Sequence, residues 1–353
     1  MKKYPLFLLV VLCCCYGNAC TTFLLMKDGK LMFGRNYDWI TGAGVVNTNQ
    51  RGLFKTSAEK NQKTMSWVSL YGSITFNQYG KEFPTGGMNE QGLVVELMWL
   101  DGTKYPAPDQ RPAVGVLQWI QYQLDMHATV DDIINSDQKI RISDEATPLH
   151  FLIADAKGNA ATIEFLHAKM VVHKGNQLPF AVLTNDTYAK SIAAAEQTSV
   201  TGNLPGNNSL DRFVTACKMV DDVKTVNSKL PLQDYAFSIL DKVSQGDFTK
   251  WSIVYDISDK KVYFKTADFQ SVKSFALNAF NFNCNATAKM FNINQVGEGD
   301  IATRFTLPDK ALKLSVLEKA IRESKEYVSI SDTEKKMLLD FSETIKCKTK
   351  ADR

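Results

Sequence analysis

The chain has 353 residues, of which 44% are apolar and 22% are charged, so it is long enough to bury a sizeable core. Its formal net charge of +3 is small, and the sequence has no cluster of positive charge that would indicate a nucleic-acid partner. Its cysteines and histidines lack the close spacing of zinc ligands, and we predict neither a metal nor a cofactor.

Residues 1–19 have the pattern of a secretory signal peptide. Two lysines are followed by an apolar stretch over 6–15, and small residues stand three positions and one position before Cys20. The apolar stretch is shorter than the roughly 20 residues that a membrane-spanning helix needs. The sequence therefore predicts a mature chain, 20–353, that is exported to the periplasm or the medium of a bacterium and has no membrane attachment after cleavage.

Two β-prone runs, 21–26 and 31–36, follow Cys20 at once and flank an Asp-Gly pair. Such a pair between two strand-forming runs predicts a hairpin with a tight turn. The first strand then begins beside Cys20. The second strand runs back toward it and carries Arg35 and Asp38 into its neighbourhood.

The rest of the chain alternates between pairs of strands and groups of helices. Strands are predicted at 67–75, 93–100, 149–154, 161–165, 181–184, 252–257 and 261–266. Helices are predicted at 113–126, 130–135, 188–196, 210–223 and 233–243. A charged, helical tail from about residue 310 is expected to pack outside the core. Antiparallel strand pairs with helices grouped between them indicate a single α+β layered domain.

An N-terminal cysteine carries its own base. The α-amine has a reference pKa of about 7.7–8.0 and the thiol about 8.5, so both titrate near neutrality. The amine can take the thiol proton and later return it to a leaving amine. Asp38 is a candidate to hold the amine, and Arg35 is a candidate to favour the thiolate. None of the four histidines lies in a recognisable triad motif, and His150 is interpreted as a structural residue.

Several blocks of the sequence resemble one family. Cys-Thr-Thr at 20–22 and Gly-Arg-Asn-Tyr-Asp-Trp at 34–39 resemble the opening of the choloylglycine hydrolase/penicillin V acylase family. Further blocks that resemble family segments follow in the same order at 87–93, 148–155, 183–185, 204–213 and 251–266. The resemblance implies a hydrolase of linear amide bonds with the four-layer αββα fold of N-terminal-nucleophile hydrolases. It also implies a homo-oligomer, a tetramer in the family.

The resemblance implies a role for individual residues. Cys20 would be the nucleophile, with Arg35 and Asp38 as its polar supports. Asn185 would donate its side-chain amide to the oxyanion, and the backbone N–H of Trp99 would be the second donor. Arg212 would complete the polar network around the thiol. The residues predicted to line an apolar acyl pocket are Trp39, Phe23, Leu24 and Trp99.

The same side chains have ordinary structural interpretations. Arg35 and Asp38 could form a salt bridge beside a hairpin, and Asn185 could cap the helix that follows it. Arg212 could be a solvated charge on a helix. Trp99 lies in a run that would by default be a core strand.

The residues leave the substrate and the class of function open. Bile-salt hydrolases of the family commonly have asparagine where this chain has Trp99, so the aromatic residue favours penicillin V or another N-acyl amide, including acyl homoserine lactones. A bile-salt hydrolase of the same fold is the alternative. Two further alternatives are an acyltransferase that uses the same thioester and a non-catalytic envelope lipoprotein diacylated on Cys20. The pairing of Cys217, Cys284 and Cys347 also stays open.

Overall fold

The computed structural model describes residues 20–59, 62–201, 206–223 and 230–348. The predicted signal peptide, 1–19, lies outside these residues, and so does the start of the sequence block at 204–213. In the described part of the chain, no helix has the length and apolar character needed to cross a membrane.

The described residues form twenty strands and seven α-helices. In chain order the strands are β1 Thr21–Lys27, β2 Lys30–Asp38, β3 Val45–Asn49, β4 Leu53–Thr56, β5 Ser66–Val68, β6 Ser73–Asn77, β7 Pro84–Asn89, β8 Val94–Trp99, β9 Ala113–Val114, β10 Arg141–Ile142, β11 Leu149–Ala154, β12 Ala160–Leu166, β13 Lys169–Lys174, β14 Val182–Leu183, β15 Thr249–Asp256, β16 Lys261–Thr266, β17 Lys273–Ala276, β18 Met290–Asn292, β19 Gly299–Asp300 and β20 Lys346–Cys347. The helices are α1 Val116–Met126, α2 Val130–Ser136, α3 Tyr188–Thr201, α4 Ser209–Asp222, α5 Leu232–Lys242, α6 Lys310–Ser324 and α7 Asp332–Asp340.

Two large sheets face each other. One has the strand order β14-β1-β2-β15-β16-β17-β19, and the other has the order β13-β12-β11-β8-β7-β6-β3-β18. Phe76 of β6 lies against Trp251, Tyr255 and Phe264 of the opposite sheet, and the Thr22 hydroxyl lies 3.0 Å from the Met98 sulfur. The two inner faces therefore share one apolar core, as in a face-to-face packing of sheets.

Helices cover the two outer faces of this sandwich. Helix α1 packs on β7 and β8, whereas α4 packs on β1 and α5 packs on β2 and β15. The order of layers is therefore helix, sheet, sheet, helix, which confirms the predicted αββα fold.

The β1–β2 hairpin forms as the sequence predicts. Lys27 pairs with Lys30 across a two-residue turn, in which Asp28 has a φ of 49° and Gly29 a φ of 76°. Two positive φ values in succession define the type I′ turn that matches the right-handed twist of a hairpin. The turn fixes a register that pairs Thr21 with Asn36 at the far end, next to Cys20.

The continuous strand predicted at 67–75 is wrong, because two strands of different sheets lie there. Strand β5 pairs with β4, whereas β6 pairs with β3 and β7. Between them the backbone N–H groups of Leu70 and Tyr71 both donate to the Asp125 carbonyl. Gly72 packs directly on the Phe282 ring, where a Cβ would clash. The sequence of the apolar run 67–75 gives no sign that the chain passes from one sheet to another there.

The tail is helical, and α6 packs in small apolar clusters that are separate from the main core. Leu317 and Ala320 of α6 are buried with Tyr79 in a small apolar cluster, and Phe341 packs against Phe83. The tail then ends in β20, which pairs with β4. A disulfide joins Cys347 of β20 to Cys284, while Cys217 on α4 is buried and has a free thiol.

Candidate active site

Cys20 lies at the start of β1 and lines a cavity of about 620 Å³. Its side chain is only 4% exposed, and its Sγ lies 3.7 Å from the backbone oxygen of Asp38. The prediction that the hairpin brings Asp38 back to Cys20 is confirmed. The backbone hydrogen bonds of β1 and β2 thus hold the sulfur at the wall of a cavity large enough for a ligand.

Burial raises the pKa of the Cys20 thiol to about 11, although the Arg35 guanidinium acts in the opposite direction. In the full-length chain the nitrogen of Cys20 belongs to a peptide bond, so no ammonium group adds its charge beside the sulfur. The thiol of this form is therefore protonated at neutral pH, and it is a weak nucleophile.

Arg35 is fully buried, and its ion-pair partner is Glu96 of β8 rather than Asp38. The guanidinium also donates to the Leu97 carbonyl at 3.2 Å, and the Tyr255 hydroxyl donates to Glu96 at 2.5 Å. The interpretation of Arg35 and Asp38 as an ordinary salt bridge is therefore wrong. The charge of Arg35 is balanced from the opposite sheet.

Glu96 was missed by sequence analysis. Its only signal is a carboxylate in the otherwise apolar run of β8, opposite Gly86 of β7. A Cβ at position 86 would collide with the Glu96 carboxylate, so the glycine provides the space for it. Burial raises the pKa of Glu96 to about 7, and the Arg35 charge and the Tyr255 hydrogen bond limit this rise.

Asp38 presents one free carboxylate oxygen inside the protein. Its Oδ1 accepts a hydrogen bond from the Thr249 hydroxyl, and its Oδ2 is buried without a hydrogen-bond partner among the described residues. Burial raises the pKa of Asp38 to about 7, against the opposing effects of Thr249, Arg212 and Arg35. A buried, unpaired carboxylate oxygen is costly, so its presence indicates that a donor belongs there.

Asn185, Arg212 and Trp99 are brought together along a second cavity, and of the three only Trp99 also lines the cavity at Cys20. The Asn185 Nδ2 donates to the Trp99 carbonyl at 2.9 Å, and its Oδ1 accepts from Arg212 at 3.0 Å. Arg212 is 2% exposed and also donates to the Thr21 hydroxyl, so it is not a solvated surface charge. The Asn185 side chain is thus oriented by Trp99 and Arg212, and one of its two amide hydrogens remains available.

The backbone N–H of Trp99 lies at an open edge of β8. The N–H of Leu100 donates to the Pro148 carbonyl, on the side of β8 that faces β11. Backbone N–H groups of successive residues in a strand point to opposite sides, so the N–H of Trp99 points away from β11. On that side β7 pairs with β8 only as far as Glu96, and the Trp99 carbonyl meets Asn185. Both predicted oxyanion donors therefore lie at one edge.

Two of the four predicted pocket residues line the cavity at Cys20. Trp39 and Trp99 do so, with ring centroids 6.1 Å apart in a stacked arrangement. Phe23 and Leu24 do not, and their assignment to the acyl pocket is corrected. Phe23 is fully buried against Gly34 on the side of β1 that carries Thr21 toward α4. Leu24 lies on the same face of β1 as Cys20, but it is four residues further along the strand and lines a different cavity.

His150 is fully buried and does not line the cavity at Cys20. Its Nε2 lies 2.7 Å from the Thr184 carbonyl and its Nδ1 lies 3.4 Å from Glu164. It therefore supports the chain just before Asn185, in agreement with its interpretation as structural. Within the ranges that the structure describes, no group of three acidic, histidine or cysteine side chains could hold a metal ion.

Replacing Asn185 by alanine is expected to lower kcat roughly 100-fold or more with a smaller change in KM, because an oxyanion donor acts mainly in the transition state. Steady-state kinetics on a cleavable N-acyl amide measures this. Asn159→Ala is the matched control, because Asn159 lies in the β11–β12 turn and bonds only to Asp155 there. An unchanged kcat for Asn185→Ala would remove Asn185 from the oxyanion site.

The chain is similar to known amide hydrolases. Residues 20–190 match the family described as linear amide C–N hydrolases, choloylglycine hydrolase family. A penicillin V acylase from Pectobacterium atrosepticum is 30% identical over 233 residues, which span 58% of this chain and 60% of that protein's length.

Solved structures extend the comparison to the fold. A penicillin V acylase from Agrobacterium tumefaciens has a TM-score of 0.72 and 26% identity, covering 82% of this chain and 98% of the other. A conjugated bile acid hydrolase from Clostridium perfringens has a TM-score of 0.66 and 19% identity, covering 80% and 98%. The fold is that of N-terminal-nucleophile hydrolases. Within this class, residues 20–190 resemble the choloylglycine hydrolase family of linear amide C–N hydrolases.

Proposed function

We propose that the mature protein begins at Cys20, is exported, and hydrolyses the linear amide bond of an N-acyl substrate with an apolar acyl group. The observation that carries this proposal is the buried Oδ2 of Asp38, which has no hydrogen-bond partner among the described residues, in a residue whose backbone oxygen lies 3.7 Å from the Cys20 sulfur. Cleavage after Ala19 would create an α-ammonium group there, which supplies the missing donor. The match to the family also begins at residue 20.

In the proposed reaction, the α-amine of Cys20 takes the thiol proton, and the thiolate attacks the carbonyl carbon of the amide. The Asn185 amide and the Trp99 N–H stabilise the oxyanion that forms. The C–N bond then breaks, and the leaving amine takes the proton from the α-ammonium group. Water, deprotonated by the same amine, hydrolyses the thioester and releases the carboxylic acid. Asp38 holds the amine throughout, and Arg35 favours the thiolate.

Hydrolysis of an amide panel tests the proposal directly. The panel contains penicillin V, glycine- and taurine-conjugated bile acids, and long-chain acyl homoserine lactones. Added amine acceptors distinguish hydrolysis from acyl transfer through the amide products that transfer would give. The mass of exported protein distinguishes a free Cys20 from a diacylated one. A lipid on Cys20, or no turnover of any amide, would overturn the proposal.

Penicillin V or another aromatic or aliphatic N-acyl amide is expected to be a better substrate than conjugated bile acids. Trp99 presents an apolar indole to the cavity, where a small polar side chain would offer a contact to a steroid conjugate. One such contact is worth about 1–3 kcal/mol, so discrimination of roughly 10- to 200-fold in kcat/KM is expected. Trp99→Asn should narrow the ratio. A preference of the unmodified enzyme for bile acids would assign it to the other branch of the family.

A further inference from the structure

Part of the lining of the cavity at Cys20 comes from the C-terminal tail. We call residues 327–338 the C-terminal wall; they follow α6 and include most of α7. Its side chains that line the cavity, together with Cys20, Trp39 and Trp99, are Val328, Ser329, Ile330, Ser331, Thr333, Glu334, Met337 and Leu338. More than 220 residues of the chain separate this wall from Cys20, Trp39 and Trp99.

The C-terminal wall is attached directly to the aromatic residues beside the thiol. The Tyr327 ring meets the Trp39 ring edge-on, with centroids 5.7 Å apart. The Trp39 indole N–H donates to the Tyr79 hydroxyl at 3.2 Å, and that hydroxyl donates to Ser324 of α6 at 3.2 Å. A change in the position of α6 would therefore be transmitted to Trp39.

A covalent link holds the far end of the tail. After α7 the chain pairs Lys346 with Phe54 of β4, and the Cys284–Cys347 disulfide closes the segment onto the body of the protein. Phe341 packs on Phe83, which itself lines the cavity. The C-terminal wall is thus fixed at both ends, by Tyr327 on one side and by the disulfide on the other.

The chemistry of the wall suits an uncharged acyl chain. Ile330, Met337 and Leu338 are apolar, and methionine adapts to irregular ligands. Glu334 accepts hydrogen bonds from the Ser331 backbone N–H and hydroxyl, which lower its pKa and keep it ionised. In the part of the chain that the structure describes, glutamates also line the cavity at 59 and 145, whereas no lysine or arginine does.

We propose that the C-terminal wall sets the acyl specificity of this enzyme, by limiting the length of an uncharged acyl chain bound between Ile330 and Met337 on one side and Trp39 and Trp99 on the other. The inference rests on the proposed amide hydrolysis, and it specifies the class of acyl group that the substrate carries. An acyl chain that ends in a carboxylate is disfavoured by like charge.

The experiment measures kcat/KM of the mature enzyme on N-acyl amides from butyryl to dodecanoyl that share one leaving group. Ile330→Trp and Met337→Trp narrow the cavity, and the dodecanoyl substrate is expected to lose roughly tenfold or more while the butyryl substrate stays within about twofold. Lys336→Trp is the matched control, since its side chain is 80% exposed on the outer face of α7. Met337→Ala should shift the preference toward longer chains.

Two further variants separate the effect of the position of the C-terminal wall from the effect of the charge on Glu334. The double variant Cys284→Ser/Cys347→Ser releases the far end of the wall, and the discrimination between butyryl and dodecanoyl should weaken while turnover of the butyryl substrate persists. Glu334→Gln should raise kcat/KM for an ω-carboxyacyl amide relative to the neutral analogue.

The outcomes distinguish the two proposals. If the unmodified enzyme cleaves no amide, the proposed function fails. If it cleaves amides and the length profile is the same in Ile330→Trp, Met337→Trp, Met337→Ala and Lys336→Trp, the function stands and the wall has no role in specificity. Should a tryptophan variant fail to fold by circular dichroism, Met337→Ala alone decides the question, because an unshifted profile overturns the inference.

Discussion

Replacing Cys20 by alanine is expected to remove nearly all amide hydrolysis, a loss of roughly 10⁴-fold or more in kcat, while the protein stays folded. The thioester cannot form without the sulfur, so only substrate binding and oxyanion stabilisation remain. Cys20→Ser should be almost as inactive, because a hydroxyl is far harder to ionise in the same buried position. Single-turnover assays and thermal unfolding of the same preparations measure both effects.

Cys217→Ser is the control for this substitution. Cys217 is the other free cysteine among the described residues, is equally buried, and lies on α4 away from the cavity. Its substitution should lower stability slightly and leave kcat within about twofold. Substantial turnover by Cys20→Ala, or equal losses in both variants, would contradict the assignment of Cys20 as nucleophile.

The part of the site that the sequence predicts is the part made by local structure. Cys20, Arg35 and Asp38 are joined by a single hairpin whose turn and register are specified by adjacent residues, so the pairing follows from the pattern alone. The family resemblance added Asn185, Arg212 and Trp99, which are distant in sequence. Their contacts depend on the packing of β8, β14 and α4, which no local pattern specifies.

The residues that sequence analysis missed act from strands that are distant in sequence. Glu96 reaches Arg35 from the opposite sheet, and Thr249 reaches Asp38 from β15. The pairing of β15 with β2 shifts register between Thr249 and Trp251, and such an irregularity re-aims a side chain. A carboxylate within an apolar strand was a visible signal for Glu96. The bulge at Lys250 and the return of the tail to the cavity had no comparable signal.

Retaining Ala19 in peptide linkage to Cys20 is expected to inactivate the enzyme without unfolding it. In that form the nitrogen of Cys20 is an amide, which is no base, and general-base catalysis is typically worth about 10²–10⁴-fold. We therefore expect kcat to fall by that factor relative to a chain that begins at Cys20. Intact-mass analysis verifies the N-terminus of each preparation, and amide hydrolysis under identical conditions gives the ratio.

The same pair of proteins should differ in the ionisation of the thiol. With Ala19 retained, burial raises the pKa of the Cys20 thiol to about 11. Removing Ala19 creates an ammonium group on Cys20, which we propose donates to the free Oδ2 of Asp38, and a positive charge there lowers the pKa of both acids. As the pH is raised, the rate at which iodoacetamide alkylates Cys20 should therefore begin to increase at a lower pH in the mature protein than in the protein that retains Ala19. The Cys20→Ala variant gives the background rate. Full activity with Ala19 in place, or identical alkylation profiles, would show that the α-amine has no part in activating the thiol.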